Sequence, residues 1–280
     1  MTDTGVIGLV LILIILAFSY KGFTNGLLFD SYKFEVDRIL IGKDYKRLVT
    51  SGFLHVNWLH LIFNILSLYA FSDLVEYSLG MFNFLVVYFA SLIGGNLLAL
   101  FVHRNHGDYS AVGASGAVCG IIFASIALYP YGGIGFFFLP FTIPGWVFGI
   151  LFVAVSIYGI KSNTDNIGHE AHLGGAFIGM ATALVFRPEA LRENFLPILA
   201  IALPTMVFFY LILTRPQILF VDNFFFKSRN QNRYFDIDHK YNEDKVNKQK
   251  ELDRLLDKIS REGIGSLTEK ERKKLDEYSK

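Results

Sequence analysis

Four polar residues stand in stretches that are otherwise apolar. They are Ser115 in Gly113-Ala114-Ser115-Gly116, His172 in Ala171-His172-Leu173-Gly174-Gly175, and the pair His60 and Asn64. A serine hydroxyl is a weak nucleophile until a base takes its proton, and a neutral imidazole can do that. Ser115 opens an apolar segment. In the first turn of a helix it would lie beside unpaired backbone N–H groups and the positive dipole end, which favour a developing oxyanion. Gly113 and Gly116 remove the Cβ atoms that would crowd a substrate or a neighbouring helix. His60 and Asn64 are one turn apart and share a helix face. Both can donate hydrogen bonds, so with Gly113 they are the candidates for stabilising an oxyanion or substrate. Asp73, near the far end of the segment that begins with His60, is the one acid within the expected spans and is not placed to orient the imidazole, and Glu170, two residues before His172, points elsewhere on a helix. The expected unit is therefore a Ser115–His172 dyad.

The elements that must carry these groups are membrane spans. A hydrocarbon core of about 30 Å takes roughly 17–25 apolar residues per helix. Seven segments qualify: 5–20, 59–74, 81–102, 112–128, 144–160, 171–186 and 195–213. The first is read as a span and not a signal peptide, because Met1-Thr2-Asp3-Thr4 has no basic residue. Pro144 is expected at the start of the fifth helix, where its missing N–H costs little. Residues 21–57 are too polar to span and form an ordered or interfacial loop, and 129–142 form an irregular connection. The second, fourth and sixth spans must point the same way, so His60, Asn64, Ser115 and His172 fall at one end of the bundle. The fold class is all-α: a polytopic membrane helix bundle with a small helical tail.

Composition agrees. Hydrophobic residues make up 52% of the 280 and charged ones 18%, below the roughly 25% of soluble chains. Mean hydropathy is +0.41. Of the 51 charged residues, 28 lie within 222–280. The net charge is −1 for 1–221 and +2 for the tail, which speaks against nucleic acid as a partner. The single cysteine, Cys119, excludes an internal disulfide and a multi-cysteine metal site, and no metal or cofactor is implied.

The three motifs together resemble those of the rhomboid intramembrane serine proteases. G-A-S-G, A-H-x-x-G and H-x-x-x-N occur in that family's order and spans, and the resemblance covers residues 5–186. It implies a six-helix core with a water-filled cavity open to the extracytoplasmic side, plus a seventh helix. It implies a fifth helix and a loop at 161–169 that gate lateral access, and substrates that are single-pass membrane proteins cut in or beside the bilayer. Ser115 resembles the nucleophile, His172 the general base, and His60 and Asn64 the oxyanion donors. Arg47 resembles the arginine of the family's W-R pair, although Lys46 replaces the tryptophan. Cys119 stands where many members carry an aromatic against the catalytic ring. The resemblance implies a multi-pass protein of the bacterial cytoplasmic membrane. The basic residues Lys21, Lys33, Arg38, Lys43, Lys46 and Arg47 outnumber Arg187 and Arg192, so their count does not favour a cytoplasmic amino terminus. Orientation therefore rests on the resemblance, and the side of the tail stays open.

Blander readings stand beside these. Ser115 taken alone suits a helix interface, His60 and Asn64 suit interhelical hydrogen bonding, and His55 and His169 at loop edges suit solvated or structural roles. Arg47 either snorkels to headgroups or braces the loop. Two rival functions follow: a catalytically inactive rhomboid-like binder of transmembrane helices, and a proton-relay transporter, which the clustering of polar groups at one end disfavours. The chain is divided into a core (1–186), the seventh helix with its flank (187–221), a linker (222–245) and a charged helix–turn–helix tail (246–280). In the tail, Leu252, Leu255, Leu256 and Ile259 form one stripe, Gly263 suits a helix stop, and Thr268 with Glu271 fits a capping box. The tail's partner is not indicated.

Overall fold

The structure is a computed structural model that describes residues 5–135, 141–162 and 167–214, together with Leu255, Lys258, Ile259, Leu267, Thr268, Glu271 and Leu275. The helices are α1 (Val6–Thr24), α2 (Gly26–Tyr32), α3 (Val36–Leu40), α4 (Arg47–Thr50), α5 (Trp58–Leu79), α6 (Met81–Val102), α7 (Ser115–Leu128), α8 (Gly145–Ser162), α9 (His169–Phe186), α10 (Pro188–Glu193) and α11 (Phe195–Thr214). Two small antiparallel pairs join them: β1 (Phe34–Glu35) with β2 (Ser110–Ala111), and β3 (Gly133–Gly135) with β4 (Thr142–Pro144). Each of the seven expected spans has its helix. Pro144 ends β4 and α8 begins at Gly145, so the proline precedes the helix and does not open it. α9 starts two residues early and takes in His169 and Glu170.

Five of these helices, α1, α5, α6, α8 and α11, are long and apolar enough to cross a bilayer. Their exposed side chains are large and apolar, among them Leu13, Leu59, Phe82, Val155 and Leu203, as a lipid solvent requires. α9 carries His169, Glu170 and His172 in its first turn and is less apolar for that reason. α7 has 14 residues, 13 of them buried. At 1.5 Å per residue it spans only about 21 Å, against a hydrocarbon core of about 30 Å. Wrapped by α5, α6 and α9, it does not need to meet lipid. Its two terminal carbonyls, at Ala127 and Leu128, accept from Asn194 Nδ2 at 3.0 and 3.2 Å, which answers the orphan acceptors of a buried helix end.

The α7–α9 contact is built from glycine. A Cβ on Gly175 would strike the Gly116 carbonyl, and one on Gly179 would strike the Gly120 backbone. The two helices meet backbone to backbone, as small-residue faces allow in lipid. On the other side of α9, a Cβ on Gly95 of α6 would strike the Ala171 carbonyl.

The loop between α1 and α5 is tied by Arg47. Its side chain is buried. Nη1 donates to the carbonyls of Asp30 and Lys33 at 2.9 and 2.7 Å, and Nε donates to Asp44 at 2.9 Å. Arg47 therefore braces the loop, and the snorkelling reading falls. In the tail, Thr268 N–H donates to Glu271 Oε2 at 2.8 Å, while Glu271 N–H donates to Thr268 Oγ1 at 3.4 Å. These are the two reciprocal bonds of a capping box, and Lys258 Nζ adds a bond to the Glu271 carboxylate at 3.0 Å. Leu255 and Ile259 of the expected stripe are helical, with Leu255 buried, while Leu252, Leu256 and the stop at Gly263 lie outside the described residues.

Candidate active site

Ser115 is the first residue of α7, and the turn before it is set by Gly113, whose φ is +138°. Any L side chain is strained there. A Cβ at Gly113 would also lie 2.7 Å from His60 Cε1 and 3.5 Å from Ser115 Oγ. The Gly113 N–H donates to the Ser51 carbonyl at 3.0 Å, so this residue contributes open space, and its amide is engaged elsewhere. Ser115 N–H, at a helix start, has no intrahelical acceptor.

His172 reaches Ser115 from α9. Its Nε2 lies 2.6 Å from Ser115 Oγ, across 57 residues of sequence. The glycine contacts below them make this possible. His60 comes from the first turn of α5 and places its ring against Gly113. Asn64, one turn further on, is buried, and its Nδ2 donates to the His60 carbonyl at 2.9 Å. The structure thus gathers Ser115, His172, His60 and Gly113 within side-chain reach and sets Asn64 immediately behind His60 on the same face. A cavity of roughly 400 Å³ adjoins His172 and His169. It is walled mainly by Phe148, Leu151, Phe152 and Val155 of α8. Among the described residues, no group of three or more His, Cys, Asp or Glu side chains is arranged to hold a metal ion.

The two histidines read as solvated or structural, His55 and His169, are both buried, which leaves the structural reading. His169 packs its ring where a Cβ on Gly159 would fall, and lies 6.3 Å from the His172 ring. His55 is fully buried. Its Nε2 accepts the Ala114 N–H at 3.4 Å, so Nδ1 must carry the proton. Nδ1–H then donates to Ser19 Oγ at 2.9 Å, and Ser19 passes its own proton to the Phe53 carbonyl at 3.0 Å. The His55 ring also meets the His60 ring edge-on, with centroids 4.9 Å apart. His55 thus links α1 to the turn before Ser115 and to His60. Sequence reading left it as a loop-edge residue because the spacing His55–His60 has no helical meaning across the break at Asn57; its one signal was a histidine five residues before His60.

Burial, with the neighbouring His60, depresses the His55 imidazole to about 3. Folding therefore keeps it neutral, whereas the unfolded chain protonates it near the ordinary 6.5. The unfolded state binds more protons between those values, so this contribution to stability is intact above about pH 6.5 and is lost as pH falls toward 3. We expect the thermal midpoint of the wild type to drop over that window. In His55→Gln the drop is expected to be smaller, from a lower starting point. Unfolding scans in detergent between pH 7.5 and 4.5 check this.

A profile described as "Rhomboid domain" matches residues 42–189, and one described as a "Family of unknown function (DUF6576)" matches 235–280. RHOMBOID-like protein 12, mitochondrial, of Arabidopsis thaliana is 28% identical over 57% of this chain and 51% of its own length. Rhomboid protein 1, mitochondrial, of Saccharomyces cerevisiae is 30% identical over 53% of this chain and 45% of its own. Rhomboid protease GluP of Bacillus subtilis is 30% identical over 68% of this chain and 36% of its own. The match spans about half or less of the length of each of these relatives. The domain match at 42–189 includes Ser115, His172, His60, Asn64 and Gly113, and because it covers more than half of the sequence, the chain, a multi-pass membrane protein, belongs to the rhomboid family.

Proposed function

We propose that this protein is an intramembrane serine endopeptidase working through a Ser115–His172 dyad on single-pass membrane proteins. The observation that carries the reading is the 2.6 Å approach of His172 Nε2 to Ser115 Oγ at the start of a helix too short to reach both membrane surfaces. His172 Nε2 takes the hydroxyl proton as Ser115 Oγ bonds to the substrate carbonyl carbon. The negative charge moves to the carbonyl oxygen, where the Ser115 N–H and the side chains of His60 and Asn64 are the donors. The peptide C–N bond breaks, the leaving amine takes the proton from His172, and a water deprotonated by the same imidazole releases the acyl group. The apolar α8 cavity beside His172 suits a large apolar substrate side chain near the scissile bond. The similarity to the Bacillus protein supports a bacterial cytoplasmic membrane as the location. The division into a core to 186, a seventh helix with its flank to 221, a linker to 245 and a tail beyond it is part of this proposal; the two separate matches, at 42–189 and 235–280, support a core and a distinct tail region.

A fluorophosphonate probe tests the nucleophile without any substrate. Wild-type protein in detergent is expected to form a one-to-one adduct at Ser115 by mass spectrometry, with Ser115→Ala and His172→Ala both unlabelled. A folded wild type that stays unlabelled would instead favour the rhomboid-like binder of transmembrane helices.

A further inference from the structure

Glu170 is a carboxylate with 6% exposure in the first turn of α9, two residues before His172. Oε1 accepts from Tyr109 Oη at 2.8 Å and pairs with His103 Nε2 at 2.7 Å. The two partners stack on each other, with centroids 3.6 Å apart and planes 6° from parallel. Burial and the Glu170 charge push the Tyr109 phenol well above its ordinary range, so it stays a donor. A carboxylate oxygen flanked by two N–H and O–H donors is satisfied as an anion, and the first turn of a helix favours that charge.

Both partners belong to the connection between α6 and α7, which leads directly into Ser115. That connection is itself fixed: Val36 N–H donates to the Tyr109 carbonyl at 3.1 Å, Asp37 N–H donates to the Gly107 carbonyl at 3.0 Å, and β2 pairs with β1. Glu170 therefore bridges the same two chain segments that supply Ser115 and His172, one helical turn from their meeting point. On a helix, residues two apart face away from each other, so Glu170 does not bond the imidazole.

We infer that Glu170 is a positioning residue for the reaction proposed above: its clamp on His103 and Tyr109 fixes the start of α9 and with it the approach of His172 to Ser115. The inference rests on the dyad reading.

The test is kcat and KM for a fluorogenic transmembrane substrate in liposomes, with thermal midpoints measured alongside. Glu170→Gln is isosteric and uncharged. It is expected to lower kcat about tenfold with KM within about twofold of wild type. Tyr109→Phe loses one clamp bond and keeps the other; it should lower kcat by a smaller factor with KM again held, and it remains informative if Glu170→Gln does not fold. An active wild type whose folded Glu170→Gln or Tyr109→Phe variant keeps the wild-type kcat, or loses rate through KM alone, overturns this inference alone. A wild type that neither cleaves nor takes the probe overturns the dyad reading and this inference with it.

Discussion

Ser115→Ala is expected to lower kcat for a transmembrane substrate by at least about 10³-fold while leaving KM and the fold in place. Residual rates after loss of a nucleophile reflect only the remaining oxyanion donors and binding, which elsewhere leave about 10³–10⁴ over water. The loss is confined to chemistry because Ser115 is half-buried at the start of α7, with its Oγ bonded to His172 Nε2 and beside the space that Gly113 keeps clear. Removing one oxygen there opens no apolar cavity. His172→Ala is expected to cost a similar factor, and the double variant no more than either single one, since the two groups act as a unit. Cleavage kinetics in liposomes, with circular dichroism for the fold, measure this. A Ser115→Ala protein that cuts at the wild-type rate ends the serine mechanism, and additive losses in the double variant end the dyad.

The second large effect concerns packing alone. Gly175→Ala and Gly179→Ala are each expected to destabilise the bundle by about 1–3 kcal/mol, the range for overpacking a filled interior. In each case the new methyl meets backbone: the Gly116 carbonyl in one, and the Gly120 backbone in the other. Backbone within a helix cannot rotate aside as a side-chain tip can, so the helices must separate. The helix propensity gained in going from glycine to alanine, up to about 1 kcal/mol, offsets part of the cost without reversing it. Activity should suffer more than stability. A displacement of about 1 Å in a reacting group costs on the order of 10²-fold, and α9 carries His172 one turn above Gly175. Gly26→Ala is the control. Nothing lies within 4 Å of the added methyl, and the change should stay within about 0.5 kcal/mol. Thermal unfolding in detergent and single-turnover cleavage report the two effects separately. Gly175→Ala and Gly179→Ala proteins with wild-type midpoints and rates would show that the glycine seam does not set the α7–α9 distance.

How much of this was legible beforehand follows from where the information lay. The spans were readable because a lipid solvent demands long apolar runs, and the end at which His60, Asn64, Ser115 and His172 gather followed from chain direction alone. Gly116 was read as leaving room for a neighbouring helix, and it is where Gly175 of α9 meets α7. The shortness of α7 was less visible, since the run from Val112 is apolar enough to hide a helix that begins only at Ser115. His55 and Glu170 were missed as parts of the site. Their partners, Ser19 and Ala114 for one, His103 and Tyr109 for the other, are 36 to 67 residues away, and no local period records such pairings. Arg47 was recognised as a motif residue, but its three loop acceptors became evident only in the folded chain.

The sequence by itself determined that the chain is a helical membrane bundle, which polar groups share one end of it, and which residues are small enough for helices to touch there. Hydropathy and residue size act locally, so they are written in order along the chain. The tertiary structure alone decided that Ser115 and His172 stand 2.6 Å apart, that His55 holds the turn before the serine, and that Glu170 ties α9 to the α6–α7 connection. Those are distances between segments brought together by packing. They depend on how every intervening helix tilts and seats against its neighbours, and no single stretch of sequence carries that.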